Sequence, residues 1–256
     1  MDFGIRDRVA LVLGASRGMG RACAEALGRE GCRLAVVARD VAGLDAAFPG
    51  GGVFKTAADV VDDAHRVRVV ADTVAAFGRI DILLNNCGGP KPGGFGAALT
   101  AEDWREGVER ALFQVVKWTE AVVPHMKGWG RVVNIVSTTV KQSNDDLLIS
   151  DSVRPGVIGY AKAASRALAP KGITINSILP GLVRTERALE LAELRAAKEK
   201  ITVEAALKAR AAEIPAGRLG EPDEVGALAA FLCSTSAAYI NGTSIVIDGG
   251  MTRAIS

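Results

Sequence analysis

Short apolar runs alternate with helix-length segments along the whole chain, and this alternation constrains the fold more than any other feature. The runs lie at residues 8–13, 33–38, 80–85, 131–136 and 173–179. They are mostly apolar and do not alternate regularly with polar residues, as in parallel strands buried on both faces. Strands that alternate with helices build βαβ units. We therefore predict an α/β fold: a single-domain, doubly wound, Rossmann-type parallel sheet of about seven strands, with helices on both faces.

Length and composition narrow the class of protein. The 256 residues are 49% apolar, show no linker or repeat, and so predict one domain over residues 1–256. The net charge of +2 comes without a basic block, so we expect no nucleic acid partner. No apolar run has the length of a membrane span or a secretion signal. Four cysteines without CxxC spacing or clustering with histidine suit a reducing cytoplasm and predict no metal site.

One segment departs from this composition, from about residue 187 to 213. It is rich in Ala, Glu, Lys and Leu and poor in bulky apolar residues. A surface helix pair and a helical substrate lid over the crevice are both consistent with it. The lid is the favoured interpretation, because the segment is inserted between strands and contributes little to a core.

A glycine-rich stretch, Gly14 to Gly20, follows the first apolar run and precedes a helical pattern over residues 17–29. Glycines at such a turn let the backbone approach a pyrophosphate at the N-terminus of a helix. The spacing is GxxxGxG, and by itself it is a weak signal.

Further motifs follow other predicted strands, and their order makes the signal specific. They are Asp59-Val60, Asn85-Asn86-Cys87-Gly88-Gly89, the stretches 180–185 and 214–222, and Asp248-Gly249-Gly250. Together they resemble the short-chain dehydrogenase/reductase family over essentially the whole chain, and most of all its bacterial 3-oxoacyl-acyl-carrier-protein reductases. The family's usual threonine before the first glycine is Leu13 here.

The resemblance implies a dinucleotide-binding domain and a set of cofactor-binding residues. The pyrophosphate would be cradled by Gly14, Ser16, Arg17, Gly18, Met19 and Gly20. The adenine edge would be held at Asp59 and Val60, and the adenosine ribose would pack against Asn85, Asn86, Cys87 and Gly88. The nicotinamide amide would be held by Pro180, Gly181, Val183 and Thr185.

The residues after the second strand bear on the choice of cofactor. An NAD site needs a carboxylate at the strand end, and the family's position for it is Ala38. Arg39 follows, and with Arg17 it could flank a 2′-phosphate, although Arg39 could also be a solvated loop charge. Asp40 is the counter-argument. We predict that it lies past the strand end and points away, so that NADP(H) is favoured over NAD(H).

The positions that carry the family's chemistry are changed. The family uses a serine after the fifth strand, a Tyr-x-x-x-Lys pair on the next helix and a helper asparagine. Ser137 matches the serine, but Ser150 stands at the tyrosine position, Arg154 at the lysine position and Ala111 at the asparagine position.

Tyr160 and Lys162 do not replace the missing pair. They are two residues apart, whereas a shared helical face requires three or four. Core or interface packing is the better explanation of Tyr160.

The other candidate side chains are expected to have no catalytic role. His65 and His125 are expected to be structural or surface residues. Cys87 occupies a slot usually held by alanine, so a small packing role is expected.

These substitutions have chemical consequences. A serine hydroxyl is a far poorer acid than that tyrosine, and an arginine does not release its proton. Ser137, Ser150 and Arg154 are therefore predicted to form an oxyanion-binding catalytic site without an evident proton donor. Bulk water or the loop residues Lys141, Asp145 and Asp146 could donate the proton. The favoured interpretation is that these three residues are solvated loop charges.

The resemblance implies an NADP(H)-dependent oxidoreductase that interconverts a carbonyl and a secondary alcohol. Its substrate would be a small carbonyl compound or an acyl thioester, and the family suggests a homotetramer. Two alternatives stay open: a catalytically impaired NADP(H)-binding sensor or partner protein, and an enzyme of this fold that catalyses elimination or isomerisation. We favour the oxidoreductase because the cofactor motifs, Ser137 and a basic group at the lysine position are all present.

Overall fold

The computed structural model describes residues 2–255, apart from the side chain of Arg187. Seven strands form one sheet: β1 (Val9–Leu13), β2 (Arg33–Ala38), β3 (Val53–Ala57), β4 (Ile82–Asn85), β5 (Gly130–Ile135), β6 (Ile173–Pro180) and β7 (Ser244–Ile247). All neighbours are parallel, in the order β3-β2-β1-β4-β5-β6-β7. The predicted fold class is confirmed, because the apolar runs are the strands of a sheet covered on both faces.

Ten α-helices connect the strands within residues 2–255. They are α1 (Gly18–Arg29), α2 (Val41–Ala47), α3 (Asp63–Phe77), α4 (Ala101–Val108), α5 (Gln114–Val122), α6 (Leu148–Val153), α7 (Pro155–Leu168), α8 (Glu186–Glu199), α9 (Val203–Ala212) and α10 (Pro222–Cys233). A π-helical turn, Glu109–Phe113, joins α4 to α5, and 3-10 turns lie at Val123–His125, Thr138–Val140 and Ala169–Lys171. None of the helices in residues 2–255 is long and apolar enough to cross a membrane.

The two faces of the sheet carry separate hydrophobic cores, because successive side chains of a strand point to opposite faces. In β1, Ala10 and Val12 join the core beneath α1, α2 and α10. Leu11 and Leu13 join the core beneath α3, α5 and α7. Burial of both faces explains why the strands show no alternation of polar and apolar residues in the sequence.

The strand order changes direction next to β1. That strand pairs with β2 on one side and with β4 on the other. The loops after β1 and β4 therefore diverge and leave a crevice at the carboxyl ends of the strands, where ligands of doubly wound sheets bind.

The segment predicted as a lid folds as a helix pair. Helices α8 and α9 pack together through the small side chains Ala192, Ala196 and Ala206. Thr185 and Thr202 cap them, each accepting a hydrogen bond from a backbone N–H three residues later. The predicted boundaries, about 187 to 213, match these two helices closely; closure over the crevice stays a prediction.

The approach of α10 to α1 generates a stability prediction. A Cβ atom added to Gly226 of α10 would lie 2.6 Å from the backbone oxygen of Ala22 in α1. Gly226→Ala must push the two helices apart, so we expect it to lower the free energy of unfolding by roughly 1–3 kcal/mol. Urea unfolding followed by circular dichroism measures the change.

Gly159→Ala is the matched control, because a Cβ atom at this position of α7 would meet nothing within 4 Å. Here alanine should raise the free energy of unfolding by up to roughly 1 kcal/mol, since glycine is the poorer helix former. Equal effects of the two substitutions would contradict the close packing of α1 against α10.

Candidate active site

The glycine-rich loop is held by one asparagine. Asn86 Nδ2 donates to the backbone oxygens of Leu13 and Gly14, at 3.3 and 3.2 Å. A Cβ atom on Gly20 would overlap the oxygen of Gly14, and one on Gly14 would lie 2.7 Å from Asn86 Nδ2. Glycine is therefore required at 14 and 20 so that β1, β4 and α1 can meet.

The N-terminus of α1 faces the crevice opened by this loop. Arg17 stands at the N-cap position, and no side chain of the described residues caps the helix there. The first backbone N–H groups are thus available to an anion. Ser16 lies beside Gly43 of α2 at the mouth of the loop, and Met19 packs against the core.

Asp40 is committed to a structural role. Its carboxylate caps α2 by accepting from the N–H groups of Ala42 and Gly43, both at 3.1 Å. The guanidinium groups of Arg17 and Arg39 are exposed, and neither pairs with a carboxylate in the part of the chain that the structure describes. The crevice therefore presents two unpaired cations and no free carboxylate at the end of β2.

The end of β3 places Asp59 at the same edge. Its Oδ1 accepts from the N–H of Val61 at 3.2 Å, and its own N–H donates to His65 Nδ1 at 3.2 Å. The oxygen of Val60 accepts from Trp118 Nε1 at 2.7 Å. His65 thus fixes the backbone of this turn, in agreement with its expected structural role. Because the oxygen of Val60 is engaged by Trp118, Val60 offers a ligand only its side chain and its N–H.

Of the two asparagines at the end of β4, Asn85 turns its side chain into the sheet. We expected the segment from Asn85 to Gly88 to pack against a ribose. Asn85 is fully buried, and its Nδ2 donates to Asn134 Oδ1 at 2.9 Å and to Thr119 Oγ1 at 3.2 Å. Its side chain therefore ties β4 to β5 and α5, and only its backbone can reach the crevice. Gly88 is exposed, with open space beside it.

The chain after β6 closes the crevice from the opposite side. The N–H of Gly181, directly after Pro180, donates to the oxygen of Ile247 at 3.0 Å. Val183 bridges to Gly220. The methyl group of Thr185 would lie 3.4 Å from a Cβ atom on Gly18. Thr185 thus links the start of α8 to the glycine-rich loop.

Contacts through the residues that follow β5 tie Ser137, Ser150 and Arg154 to this end of the strand; their common role as an oxyanion-binding site stays a prediction. Ser137 Oγ accepts from the N–H of Thr139 at 3.1 Å, and Thr139 Oγ1 lies 3.3 Å from Ser150 Oγ. Arg154 Nη1 donates to the oxygen of Val136 at 2.8 Å. Thr139 was not foreseen, although it lies only two residues after Ser137; nothing in its spacing marks it.

Arg154 is a buried cation. It is 9% exposed, and no carboxylate among residues 2–255 pairs with it. Its Nε is buried without a hydrogen-bond partner in the described structure. Its Nη2 would lie 3.7 Å from a Cβ atom on Gly89. Burial lowers the pKa of this guanidinium, opposed by Cys87, yet an arginine stays charged near neutrality.

Cys87 lies between two guanidinium groups. Arg110 Nη1 donates to its sulfur at 3.9 Å, and Arg154 acts on it electrostatically. Burial nevertheless raises the pKa of the Cys87 thiol, and the two arginines oppose this only in part. The thiol is therefore protonated near neutrality, which fits the expected packing role better than thiolate chemistry.

Ala111 lies in a π-helical turn of the α4–α5 region, at the position where the family has its asparagine. It packs with Ile149 and Val153 of α6 in an apolar cluster. Such π-helical turns are frequent at functional sites. The irregular backbone is present here, but the side chain offers no polar group to a proton pathway.

Tyr160 is directed away from this centre. Its ring packs beside the core on the α5 side of the sheet. Burial, with the charge of Glu120, raises the pKa of Tyr160 to about 12. Lys162 instead lies beside Gly242. The two side chains face different neighbours, as their spacing predicted, and Tyr160 is poorly suited to donate a proton.

The remaining candidates lie outside the centre. Lys141, Asp145 and Asp146 are exposed on the loop before α6. His125 lies in a 3-10 turn, and its backbone oxygen accepts from the N–H of Ile80. Ile80 precedes β4, so His125 lies at the opposite edge of the sheet.

A cavity of about 480 Å³ separates the start of α1 from α8, α9 and α10, with Leu189, Leu207 and Leu219 in its wall.

Comparison with known proteins agrees with this geometry. A family profile described as Enoyl-(Acyl carrier protein) reductase matches residues 14–252. The putative ketoacyl reductase of the monensin polyketide synthase from Streptomyces virginiae is 36% identical over 254 residues, 96% of this chain and 97% of that protein. The 3-oxoacyl-acyl-carrier-protein reductase of Escherichia coli is 33% identical over 98% of this chain and 99% of that protein.

A solved structure extends the similarity to three dimensions. L-sorbose reductase from Gluconobacter frateurii, complexed with NADPH and L-sorbose, has a TM-score of 0.94 at 29% identity, with 100% of both chains covered. The chain therefore belongs to the short-chain dehydrogenase/reductase family and is similar, within it, to the 3-oxoacyl-acyl-carrier-protein reductases.

Proposed function

We propose that the protein is an NADP(H)-dependent oxidoreductase that interconverts a carbonyl and a secondary alcohol at a site built from Ser137, Ser150 and Arg154. Its substrate is a small carbonyl compound or an acyl thioester. Two relatives named as reductases of ketoacyl or 3-oxoacyl groups support this class. The family also supports a cytoplasmic homo-oligomer, a tetramer.

The buried guanidinium of Arg154 carries the proposal. An unpaired buried charge costs several kcal/mol, and a fold keeps such a group where a ligand offsets that cost. At the carboxyl edge of β5, Arg154 donates to the backbone oxygen of Val136, the residue before Ser137, and its Nε is unpartnered among the described residues. An oxygen that gains negative charge during a reaction fits this surrounding.

The residues around the crevice fit a nicotinamide dinucleotide phosphate. The open N-terminus of α1 would hold the pyrophosphate, and Arg17 and Arg39 would hold the 2′-phosphate. With its carboxylate capping α2, Asp40 is not free to hold a 2′-hydroxyl. The NADPH of the L-sorbose reductase structure supports the same cofactor. When bound, this cofactor supplies or accepts the hydride.

The protein's own groups act on the substrate oxygen. The hydroxyls of Ser137 and Ser150 would donate hydrogen bonds to it, and the field of Arg154 would stabilise the alkoxide that forms. Because serine is shorter by a whole ring than the tyrosine it replaces, the reacting oxygen must come closer to α6 than in a tyrosine-containing site. The helix pair α8–α9 borders the crevice and would select the substrate as a lid.

The apolar surroundings of Ala111 favour the alternative of a protein that binds NADP(H) without reducing a carbonyl. Ala111, Ile149 and Val153 fill the place of the polar asparagine, which is expected once proton transfer is no longer needed. Elimination or isomerisation at the same oxyanion-binding site is the other alternative, and it would consume no NADPH.

The cofactor proposal predicts an effect of Arg39→Ala. Loss of a charge-assisted contact to the 2′-phosphate should weaken NADPH binding at least tenfold and leave NADH binding within twofold, since such contacts contribute roughly 1.5–3 kcal/mol. Titration of the protein with NADPH and, separately, with NADH, followed by the fluorescence of the reduced nicotinamide, measures the two affinities. Arg29→Ala, at the exposed far end of α1, is the control. If Arg39→Ala weakened the binding of NADPH and of NADH equally, the assignment of Arg39 to the 2′-phosphate would be contradicted.

The reductase proposal predicts NADPH oxidation against a panel of carbonyl compounds that includes an acetoacetyl thioester. Deuterium from 4-deuterated NADPH should appear at the alcohol carbon of the product. Ser150→Ala should lower kcat by roughly tenfold to a hundredfold through loss of one hydrogen-bond donor. Tyr160→Phe should leave kcat unchanged, because Tyr160 faces away from the site.

Comparison with Ser150→Tyr/Arg154→Lys separates the alternatives, after circular dichroism has confirmed that the buried tyrosine is tolerated. Turnover by the wild type, with no gain in the double variant, supports a working serine–arginine site. Turnover by the double variant alone supports a protein that binds cofactor for another purpose. Wild-type conversion of substrate without NADPH consumption supports elimination or isomerisation.

A further inference from the structure

The residue after Ser150 is an aspartate whose carboxyl group turns back toward the loop that precedes α6. Asp151 Oδ2 accepts from the N–H of Asn144 at 2.6 Å. Asp151 Oδ1 is buried and makes no hydrogen bond of good geometry within residues 2–255. A buried acceptor without a donor is costly for a charged carboxylate. A proton on Oδ1 would remove that cost by turning the acceptor into a donor.

Thr139 connects this carboxyl group to the active site. Its Oγ1 lies 3.3 Å from Ser150 Oγ, and either oxygen can be the donor. The same hydroxyl lies near enough to the carboxyl of Asp151 to lower its pKa, although no hydrogen bond of good geometry joins the two groups in the described structure. A hydroxyl group both donates and accepts. A proton on Asp151 Oδ1 that turns toward Thr139 Oγ1 would complete a chain of exchangeable protons from Asp151 through Thr139 and Ser150.

The surroundings of Asp151 favour its protonated form. Burial raises the pKa of this carboxyl, and the charge of Asp145 adds to the rise; the N–H of Asn144 and the hydroxyl of Thr139 oppose it. The face of α4 that packs against α6 is apolar, with Trp104 and Val108. No cation among the described residues forms an ion pair with Asp151. The group therefore holds its proton to higher pH than an exposed aspartate does.

We propose that Asp151 and Thr139 relay a proton to Ser150 in place of the tyrosine that the chain lacks. The inference rests on the proposed carbonyl reduction. As the carbonyl carbon accepts a hydride from the reduced nicotinamide, the C=O π electrons move onto the oxygen. That oxygen takes the proton of Ser150 Oγ, Ser150 takes the proton of Thr139 Oγ1, and Thr139 takes the proton of Asp151 Oδ1. Each hydroxyl breaks one O–H bond and forms another.

The relay ends with Asp151 as a carboxylate, and solvent reprotonates it because the side chain is only half-buried. Alcohol oxidation runs the same chain backwards. Ser150 contacts the substrate oxygen. Thr139 and Asp151 act through Ser150 and are positioning residues of the relay.

Asp151→Asn is the direct test, since the amide keeps an acceptor for Asn144 but supplies no acidic proton. We expect kcat for carbonyl reduction near neutral pH to fall roughly tenfold to a hundredfold with KM within twofold. In the wild type, kcat should fall as pH rises through the pKa of Asp151, because only the protonated carboxyl feeds the relay. Asp151→Asn should lose this limb of the pH profile.

Variants of Thr139 test the connection independently of any folding defect in Asp151→Asn. Thr139→Val keeps the shape but removes the hydroxyl, so it should abolish the same limb. Thr139→Ser keeps the hydroxyl and should restore it. Equal kcat and equal pH profiles for Thr139→Val and Thr139→Ser would overturn the relay.

Asp145→Asn is the matched control, because it removes an exposed carboxylate from the neighbouring loop. It should keep kcat on the low-pH plateau within twofold and move the limb to lower pH, since the negative charge that raises the pKa of Asp151 is gone. A loss of the low-pH plateau kcat in Asp145→Asn equal to that in Asp151→Asn would show that loop charge, and not the relay, is responsible.

Infrared difference spectroscopy over a pH titration reads the carboxyl without turnover. The band of a protonated carboxyl that persists to raised pH in the wild type should be missing in Asp151→Asn. Titration of Asp151 at the pH of an exposed aspartate would overturn the relay even for an active enzyme. Absence of turnover in the wild type would instead overturn the proposed function, with the carboxyl titration still measured.

Discussion

The crevice depends on how closely three pieces of backbone can approach each other. The amide of Asn86 holds the carbonyl groups that end β1, and Gly20 of α1 lies directly against one of them. No side chain larger than hydrogen fits at Gly14 or Gly20, so the start of α1 is fixed relative to both β1 and β4. The position of the α1 N–H groups, and with it any anion site, follows from this packing. The glycines thus serve the protein's own contacts before they serve a ligand.

On the substrate side, a network of small polar groups takes the place of a single large one. Ser137, Thr139 and Ser150 lie between the end of β5 and α6, and Arg154 is fixed by a backbone carbonyl. A tyrosine combines reach and acidity in one side chain. In the proposed reductase the serine lacks this reach, and the acidity comes from the carboxyl of Asp151, the residue after Ser150. The apolar cluster around Ala111 closes the route that an asparagine would provide.

The sequence predicted the features that depend on local pattern. The mostly apolar runs identified the strands, and the glycine spacing identified the loop. The position of Asp40 past β2 indicated that it points away, as its capping of α2 shows. The sequence did not indicate the inward turn of Asn85, because a strand-end asparagine can face either the crevice or the sheet. It also did not reveal Thr139 and Asp151, whose importance depends on how the 3-10 turn after β5 meets α6. Such contacts join segments whose spacing carries no pattern.

The unpaired charge of Arg154 also links ligand binding to the stability of the whole domain. In the free protein the buried guanidinium adds to the free energy of the folded state, whereas the unfolded chain exposes it to water. A ligand that brings an oxygen of negative charge to Arg154 binds the folded chain alone, so it stabilises the fold by mass action. The domain would then resist unfolding in proportion to the logarithm of its ligand's concentration. A group placed for chemistry would in this way also make the protein's lifetime depend on its substrate supply.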